Sequence, residues 1–305
     1  MKAVRFHEYG TPDVLRHEEV PQPVAGAGEA LIRVAATSFN GVDGNIRAGF
    51  MQGPIPTTLP HTPGIDVAGT IEALGEGVTG LAIGDRVVGF LPMDKDGAAA
   101  EYVVAPAGIL APAPASVPLT DAAALPIVGL TAWQALFDHA KLTAGQRILV
   151  NGGGGAVGGY AVQLAKRAGA YVIVTARGPV TGADEVIDHT ATDVTAAVTS
   201  PVDVVLNLAP VEPSQLDALV TVVRDGGVLV NTTVWMPAPS DEPRGVRGIN
   251  LFVTSDAAQL GQLADLVDAG ELRVDVAQWV PLTELAAVHA QAAAGELPGK
   301  TVITV

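Results

Sequence analysis

A run of glycines in the middle of the chain has the spacing of a phosphate-binding turn. The apolar residues 148–150 predict a buried strand, and apolar residues at helical spacing begin at Val157. Between them, Gly153-x-Gly155-x-x-Gly158 stands where glycines let backbone approach a pyrophosphate at a helix N-terminus. The pattern predicts dinucleotide binding, and the alternative is a flexible glycine loop. The expected cofactor-binding residues of this turn are Gly153, Gly155, Ala156, Val157 and Gly158, the last four presenting backbone to the pyrophosphate.

The end of the next predicted strand bears on which nicotinamide cofactor is used. A second apolar run, 171–174, ends near Thr175, Ala176 and Arg177. NAD sites carry an acidic residue about 20 residues beyond the glycines, where it binds the ribose 2′-hydroxyl. A guanidinium without a carboxylate at this place pairs with a 2′-phosphate instead. We therefore expect NADP(H), with Thr175 and Arg177 in its site; a solvated surface arginine is the alternative.

The composition excludes several functional classes. The length of 305 residues predicts two domains. A net charge of −15 argues against nucleic acid or anionic membranes as partners, because phosphate contacts need clustered Lys and Arg. The absence of cysteine removes disulfides, thiolate nucleophiles and thiolate-bound metals. Neither a signal-peptide pattern nor a sufficiently long apolar stretch is evident, so we expect a cytoplasmic protein.

The surrounding sequence predicts an α/β fold in two parts. Residues 1–120 are β-rich, with short strands separated by Gly and Pro, which is typical of a barrel or a sandwich. From residue 121, helices alternate with apolar strands in the pattern of a parallel doubly wound sheet. The expected strands are 2–6, 14–20, 30–36, 66–74, 86–90, 101–104, 148–150, 171–174, 203–206, 227–230, 251–254, 279–280 and 301–305. Residues 109–118 are expected to be an extended linker, and 257–269 and 285–294 to be helices.

Several different short motifs follow one another along nearly the whole chain. They are Ser38-Phe39-Asn40-Gly41-Val42-Asp43, 63–69, 84–87, 130–133, the glycine turn, 182–188 and 299–302. Together these motifs resemble the medium-chain dehydrogenase/reductase superfamily and, within it, the zinc-free, zeta-crystallin-like quinone oxidoreductases. The resemblance implies a GroES-like catalytic domain over 1–120, a Rossmann NADP-binding domain over 121–265, and a return to the catalytic domain over 266–305. It also implies an active site in the cleft between the domains.

The resemblance also bears on the metal. Zinc alcohol dehydrogenases of this superfamily have a cysteine where Asn40 stands, and Gly-His-Glu where Gly64, Ile65 and Asp66 stand. The six histidines show no paired ligand spacing. We therefore expect no metal. Without a metal to stabilise an alkoxide, an already electrophilic acceptor such as a quinone or an enone is favoured over an ordinary alcohol.

Further roles follow from the resemblance and, for Asp43, Asn231 and Trp235, from their residue types and places in the chain. Asn40 is expected near the nicotinamide, where it could donate to the acceptor carbonyl as negative charge develops; a turn residue is the alternative. Asp43 is expected to be a helix N-cap. The other expected cofactor-binding residues are Thr131, His189, Asn231, Phe252 and Val253, and Asn45 and Trp235 are expected to line the acceptor pocket.

Three departures from the family pattern leave the function partly open. Only residues 178–181 separate Arg177 from Gly182, too few for the helix that relatives have there. Asn207 stands where relatives frequently have an aspartate, and His189 where they often have a tyrosine. The leading hypothesis is an NADPH-dependent quinone reductase, with an enone reductase or a non-catalytic NADPH sensor as alternatives. The apolar segment Leu251–Thr254, as an exposed sheet edge, favours a homodimer.

Overall fold

The computed structural model describes residues 1–233 and 235–305. Its strands, in chain order, are β1 (Lys2–Phe6), β2 (Leu15–Glu19), β3 (Glu29–Ser38), β4 (Asp66–Leu74), β5 (Arg86–Phe90), β6 (Tyr102–Pro106), β7 (Leu110–Pro112), β8 (Arg147–Asn151), β9 (Tyr171–Thr175), β10 (Glu185–Ile187), β11 (Val202–Asn207), β12 (Val223–Asn231), β13 (Arg247–Asn250), β14 (Gln278–Pro281) and β15 (Thr301–Thr304). Its α-helices are α1 (Gly41–Ala48), α2 (Leu119–Ala122), α3 (Pro126–Trp133), α4 (Ala156–Arg167), α5 (Val194–Ala197), α6 (Pro213–Leu219), α7 (Ala257–Asp268) and α8 (Leu285–Ala294). The predicted α/β class is confirmed.

The chain divides into two compact units. Unit 1 comprises Met1–Ile127 and Ser255–Val305, and unit 2 comprises Val128–Thr254. The chain thus returns to unit 1 eleven residues before the boundary expected at 265. The reason is that α7 belongs to unit 1, where the Asp268 carboxylate accepts hydrogen bonds from the backbone N–H groups of Ala115 and Ser116 at 3.0 and 2.7 Å.

Unit 1 is built on a largely antiparallel sheet. Its strands follow the order β14-β15-β3-β4-β5-β7, β6 pairs with the other end of β3, and β1 and β2 form a separate two-stranded ribbon. Apolar side chains of β3 and β4, including Ile32, Val67 and Ile71, pack together in one buried cluster of unit 1. The segment expected to be an extended linker contributes β7, whose residues pair with β5.

Unit 2 contains a six-stranded parallel sheet with the strand order β10-β9-β8-β11-β12-β13. Numbered within the unit, this order is 3-2-1-4-5-6, the order of a doubly wound Rossmann sheet. Leu149, Ile173, Val205 and Leu229 form one row across four adjacent strands, and all four are fully buried. The residues on either side of this row in β8, Ile148 and Val150, are fully buried too, as is usual for a parallel sheet covered on both faces.

The last strand of unit 2 is not where the sequence predicted it. The edge strand is β13, Arg247–Asn250, and the expected strand Leu251–Thr254 carries no strand structure. The backbone hydrogen bonds to β12 end at Leu251, whose N–H donates to the carbonyl of Asn231 at 2.8 Å. Beyond it, the side chain of Gln134 binds the N–H and the carbonyl of Thr254 at 3.0 and 2.9 Å, which takes that backbone out of the sheet. The prediction that Leu251–Thr254 is an edge strand, on which the expected homodimer was based, was therefore wrong.

Candidate active site

The glycine turn of unit 2 has the geometry that a pyrophosphate requires. It begins at the end of β8, and Gly155 is the N-cap of α4. A Cβ on Gly153 would collide with the side chain of Val174, and one on Gly158 with the backbone of Gly152, so both positions require glycine. The first N–H groups of α4, at Ala156 and the next two residues, have no acceptor within a helix and attract an anion. The turn therefore fits a dinucleotide.

A row of polar side chains lies two residues beyond the apolar row, on the same face and at the carboxyl ends of the strands. The Thr175 hydroxyl donates to Asn151 Oδ1 at 2.7 Å, and Asn151 Nδ2 donates to Asn207 Oδ1 at 2.7 Å. Asn207 Nδ2 then donates to Asn231 Oδ1 at 2.9 Å. Asn231 Nδ2 completes the series at the carbonyl of Met236, 2.8 Å away. We call these four residues the amide ladder.

The amide ladder holds the side chains of two expected cofactor residues. Thr175 and Asn231 are 2% and 1% exposed, and their side chains hydrogen-bond within the ladder. Gly152 N–H donates to the Thr175 hydroxyl at 2.8 Å. The ladder thus fixes the start of the glycine turn. Asn151 and Asn207 were missed as site residues, although a polar residue ending each apolar strand was a visible signal.

The residues expected at the adenosine end lie on the surface of unit 2. Arg177 follows β9 and His189 follows β10, and both are exposed. The connection between β9 and β10 contains no helix, as its short length predicted. The guanidinium and the imidazole are therefore accessible to solvent and to a phosphate group.

The remaining expected contact residues differ in exposure. Thr131 is buried in α3, whereas Asn45 in α1 and Val253 are half-buried. Trp235 and Phe252 are 60% and 52% exposed, which is unusual for large apolar side chains in unit 2. Exposed aromatic surface of this kind is available to a flat ligand.

In unit 1, Asn40 lies at the centre of a buried polar network. Its backbone is the N-cap of α1, and its N–H donates to the Asp43 carboxylate at 2.9 Å, so Asp43 is the third helical residue rather than the expected N-cap. Its side-chain Nδ2 donates to Asp66 Oδ2 at 2.9 Å and to the carbonyl of Ser38 at 3.2 Å. Its Oδ1 accepts from Lys300 Nζ at 2.6 Å. Both ends of the Asn40 amide are therefore held within unit 1.

Asp66 and Lys300 form a buried ion pair beside this amide. The carboxylate is 0% and the lysine 6% exposed, with Nζ and Oδ2 3.3 Å apart. Asp66 also accepts hydrogen bonds from the Ser38 hydroxyl at 2.5 Å and the Ile127 N–H at 2.8 Å. Burial lowers the pKa of Lys300, and the Asp66 carboxylate opposes this by favouring the charged ammonium. The sequence did not indicate this ion pair, because the two residues are 234 positions apart.

Asp43 is the second buried carboxyl of the network. Burial raises the pKa of Asp43 to about 6, although the N–H groups of Asn40 and Gly64 favour its charged form. The nearby Asp66 charge raises it further, and Lys300 lowers it. Asp43 and His289 both line a small cavity of about 10 Å³. The cluster therefore contains a carboxyl group that titrates close to neutral pH.

Comparison with known proteins identifies the family. Residues 26–115 match an alcohol dehydrogenase GroES-like domain, and residues 181–303 match a zinc-binding dehydrogenase domain. The chloroplastic quinone-oxidoreductase QR1 of Triphysaria versicolor is 31% identical over 99% of this chain and 98% of its own. The chain belongs to the quinone oxidoreductases of the medium-chain dehydrogenase/reductase superfamily. The resemblance stated from the motifs is thus confirmed.

Solved structures of this superfamily agree with the fold. The quinone oxidoreductase from Coxiella burnetii has a TM-score of 0.92 at 30% identity, covering 100% of this chain and 99% of its own. Mycobacterial Rv1454c complexed with NADPH has a TM-score of 0.85 at 28% identity, covering 100% of both chains. As a member of this family, the protein is an oxidoreductase that uses a nicotinamide cofactor and a small-molecule substrate.

The zinc implied by the name of one family model does not fit the residues of unit 1. Within residues 1–233 and 235–305, no group of three or more histidine, aspartate or glutamate side chains could hold a metal ion. At the positions that resemble the zinc ligands of the family, Asn40 and Asp66 share the ammonium of Lys300. This donor set is already neutralised by a cation, so no chemical step is assigned to zinc.

The same described ranges contain no helix long and apolar enough to cross a membrane.

Proposed function

We propose that this protein is an NADPH-dependent quinone oxidoreductase that transfers a hydride without zinc. The observation that carries the proposal is the glycine turn at the end of β8, where Gly153 and Gly158 leave no room for a side chain. It lies at the carboxyl end of the first strand of a doubly wound sheet, where dinucleotides bind in such folds. When bound, the reduced nicotinamide would supply the hydride.

The preference for NADPH rests on charge at the end of β9. Ala176 and Arg177 follow this strand, and the exposed guanidinium can pair with a 2′-phosphate while no carboxylate at these positions repels one. His189 is a second exposed group that favours a phosphate when protonated. The mycobacterial neighbour complexed with NADPH supports the same cofactor.

Most of the expected site residues have distinct tasks in this proposal. Backbone N–H groups of Gly155, Ala156, Val157 and Gly158 bind the pyrophosphate, and Thr131, Phe252 and Val253 contact the nicotinamide. Asn45 and Trp235 contact the acceptor. Asn40 donates a hydrogen bond to the acceptor oxygen that gains negative charge, exchanging its 3.2 Å bond to the Ser38 carbonyl for it. A quinone that accepts a hydride becomes a hydroquinone anion, which then takes one proton from solvent.

Two other functions use the same parts. An enone reductase needs the same hydride and the same oxygen-stabilising donor, so the acceptor alone distinguishes it. A non-catalytic NADPH sensor is favoured by the short, helix-free connection between β9 and β10, which leaves the adenosine end exposed.

The test is nicotinamide oxidation with NADPH and with NADH, against small quinones and enones, in the presence of a chelator. We expect turnover with NADPH over NADH and with quinones over enones, unchanged by chelation. Arg177→Ala should raise the KM for NADPH about tenfold and leave that for NADH unchanged. Binding of NADPH without turnover of any acceptor would support the sensor, and loss of activity on chelation would contradict the zinc-free reaction.

The assembly and location stay predictions. A homodimer would pair the exposed edge strand β13 with its copy, and sedimentation as a monomer at micromolar concentration would contradict it. The cytoplasmic location expected from the sequence is likewise part of this proposal.

A further inference from the structure

The side chain of Asn40 lies between a buried cation and a buried anion. Lys300 Nζ is 2.6 Å from Oδ1 on one side, and Asp66 Oδ2 is 2.9 Å from Nδ2 on the other. An ammonium can only donate hydrogen bonds, and an ionised carboxylate can only accept them. The two charges therefore permit only one of the two orientations of the amide.

Reversing this amide would break both contacts at once. The NH2 group would then face the ammonium and the carbonyl oxygen would face the carboxylate, so two charge-assisted hydrogen bonds would become two repulsions. Both charged groups are almost fully buried, where such interactions are weakly screened. An asparagine without these neighbours would sample both orientations.

The two charged groups are themselves firmly held. The Lys300 ammonium donates to the Phe39 carbonyl at 3.3 Å as well as to Asn40 and Asp66, which uses all three of its hydrogens. Asp66 is fixed by the Ser38 hydroxyl and the Ile127 N–H. A rigid ion pair can thus orient the amide without touching a substrate.

We propose that Lys300 and Asp66 are positioning residues that lock the Asn40 amide, so that Nδ2 and not Oδ1 faces the Ser38 carbonyl and can donate to an acceptor oxygen that replaces it. The proposal rests on the proposed function, in which one Nδ2 hydrogen leaves the Ser38 carbonyl for the acceptor oxygen. The other hydrogen stays on Asp66, which keeps the donor aimed. Lys300 then acts on hydride transfer only through Asn40.

A double-mutant cycle tests this dependence. Lys300→Met in the wild-type background should lower kcat for a quinone about 100-fold, the loss expected for a misplaced group. The same substitution in an Asn40→Ala background should change kcat less than about twofold, because there is no amide left to orient. Lys95→Met, at an exposed lysine of unit 1, is the matched control and should have no effect. Equal fold losses in the two backgrounds would overturn the proposal, since a purely structural role acts in both.

Two additional measurements separate this proposal from protein instability and from the proposed function. Lys300→Met leaves the Asp66 carboxylate buried without its cation, so Lys300→Met/Asp66→Asn provides a charge-neutral version that should also lose kcat but bind NADPH as the wild type does. The Asn40 side-chain amide signals in 15N-labelled protein give a readout that needs no activity. In the wild type we expect two separate proton signals that exchange slowly with water. In Lys300→Met both signals should shift and exchange faster.

The outcomes are distinct. If the wild type turns over neither quinones nor enones, the proposed function fails, and the amide signals still test the lock. If the Asn40 amide signals are the same in wild type and variant, the lock does not exist, whatever the activity shows.

Discussion

His289 should make this protein sensitive to acid. Its side chain lies in α8, is 2% exposed, and neither ring nitrogen has a hydrogen-bond partner in the described chain. Burial, with a smaller contribution from the Arg47 charge, lowers the pKa of His289 from 6.5 to about 3. The imidazole is therefore neutral in the folded protein at a pH where it is charged in the unfolded chain.

The sign and the size of the effect follow from linkage. Because the folded pKa is depressed, the unfolded chain binds the proton more tightly, and His289 contributes full stability only above pH 6.5. The gap between 6.5 and about 3 corresponds to about 5 kcal/mol at 1.36 kcal/mol per pH unit. About 2 kcal/mol of this is already lost at pH 5.

His289→Phe removes the titration but keeps an aromatic ring against Phe39, whose centroid is 4.8 Å away. The assay is the free energy of unfolding by urea at pH 8, 7, 6 and 5. The wild type should lose about 2 kcal/mol more than the variant between pH 8 and pH 5, and any packing cost cancels in this difference. Val288→Ala, in the same helix, should shift stability equally at every pH. Parallel pH profiles of the wild type and His289→Phe would refute the reasoning.

Three further predictions concern other buried groups. Asp43→Asn should have the opposite pH effect, because the raised pKa of about 6 gives stability below pH 3.8 that is lost as pH rises through 6. The wild type should lose about 2.4 kcal/mol relative to the variant between pH 4 and 7, measured by urea unfolding. Gly158→Ala should weaken NADPH binding about tenfold by fluorescence titration, whereas Gly159→Ala, where a Cβ meets open space, should not; equal affinities would contradict the close-approach argument. Asn207→Leu should lower the free energy of unfolding by about 1 to 3 kcal/mol, because it leaves the buried Asn151 Nδ2 without its acceptor, and an unchanged unfolding midpoint would count against the ladder.

The sequence predicted the features that depend on neighbouring residues. Strands β1, β4 and β5 and helix α8 have the predicted bounds, since alternation and helical spacing are local patterns. The glycine turn was also predictable, because a strand, the glycines and a helix follow one another directly. The strand expected at 251–254 failed because a side chain far along the chain, Gln134, binds the backbone of Thr254.

The network around Asn40 could not be predicted in the same way. Its amide is oriented by Asp66, 26 residues away, and by Lys300, 260 residues away. Each of these residues alone has an ordinary explanation as a strand residue or a surface lysine. Only the antiparallel pairing of β3 with β4 and with β15 brings their ends together. The resemblance marked these positions without indicating their hydrogen bonds.

The amide ladder explains why an asparagine stands at position 207. This residue accepts from Asn151 and donates to Asn231 at the same time. A carboxylate, frequent here in relatives, could accept the first bond but would face Asn231 Oδ1 with a second acceptor. Every residue of the ladder both accepts and donates a hydrogen bond. The series begins where the Gly152 N–H donates to Thr175 and ends where Asn231 donates to the carbonyl of Met236. The substitution therefore joins the glycine turn and the segment after β12 into one hydrogen-bonded unit, which an aspartate could do only in its protonated form.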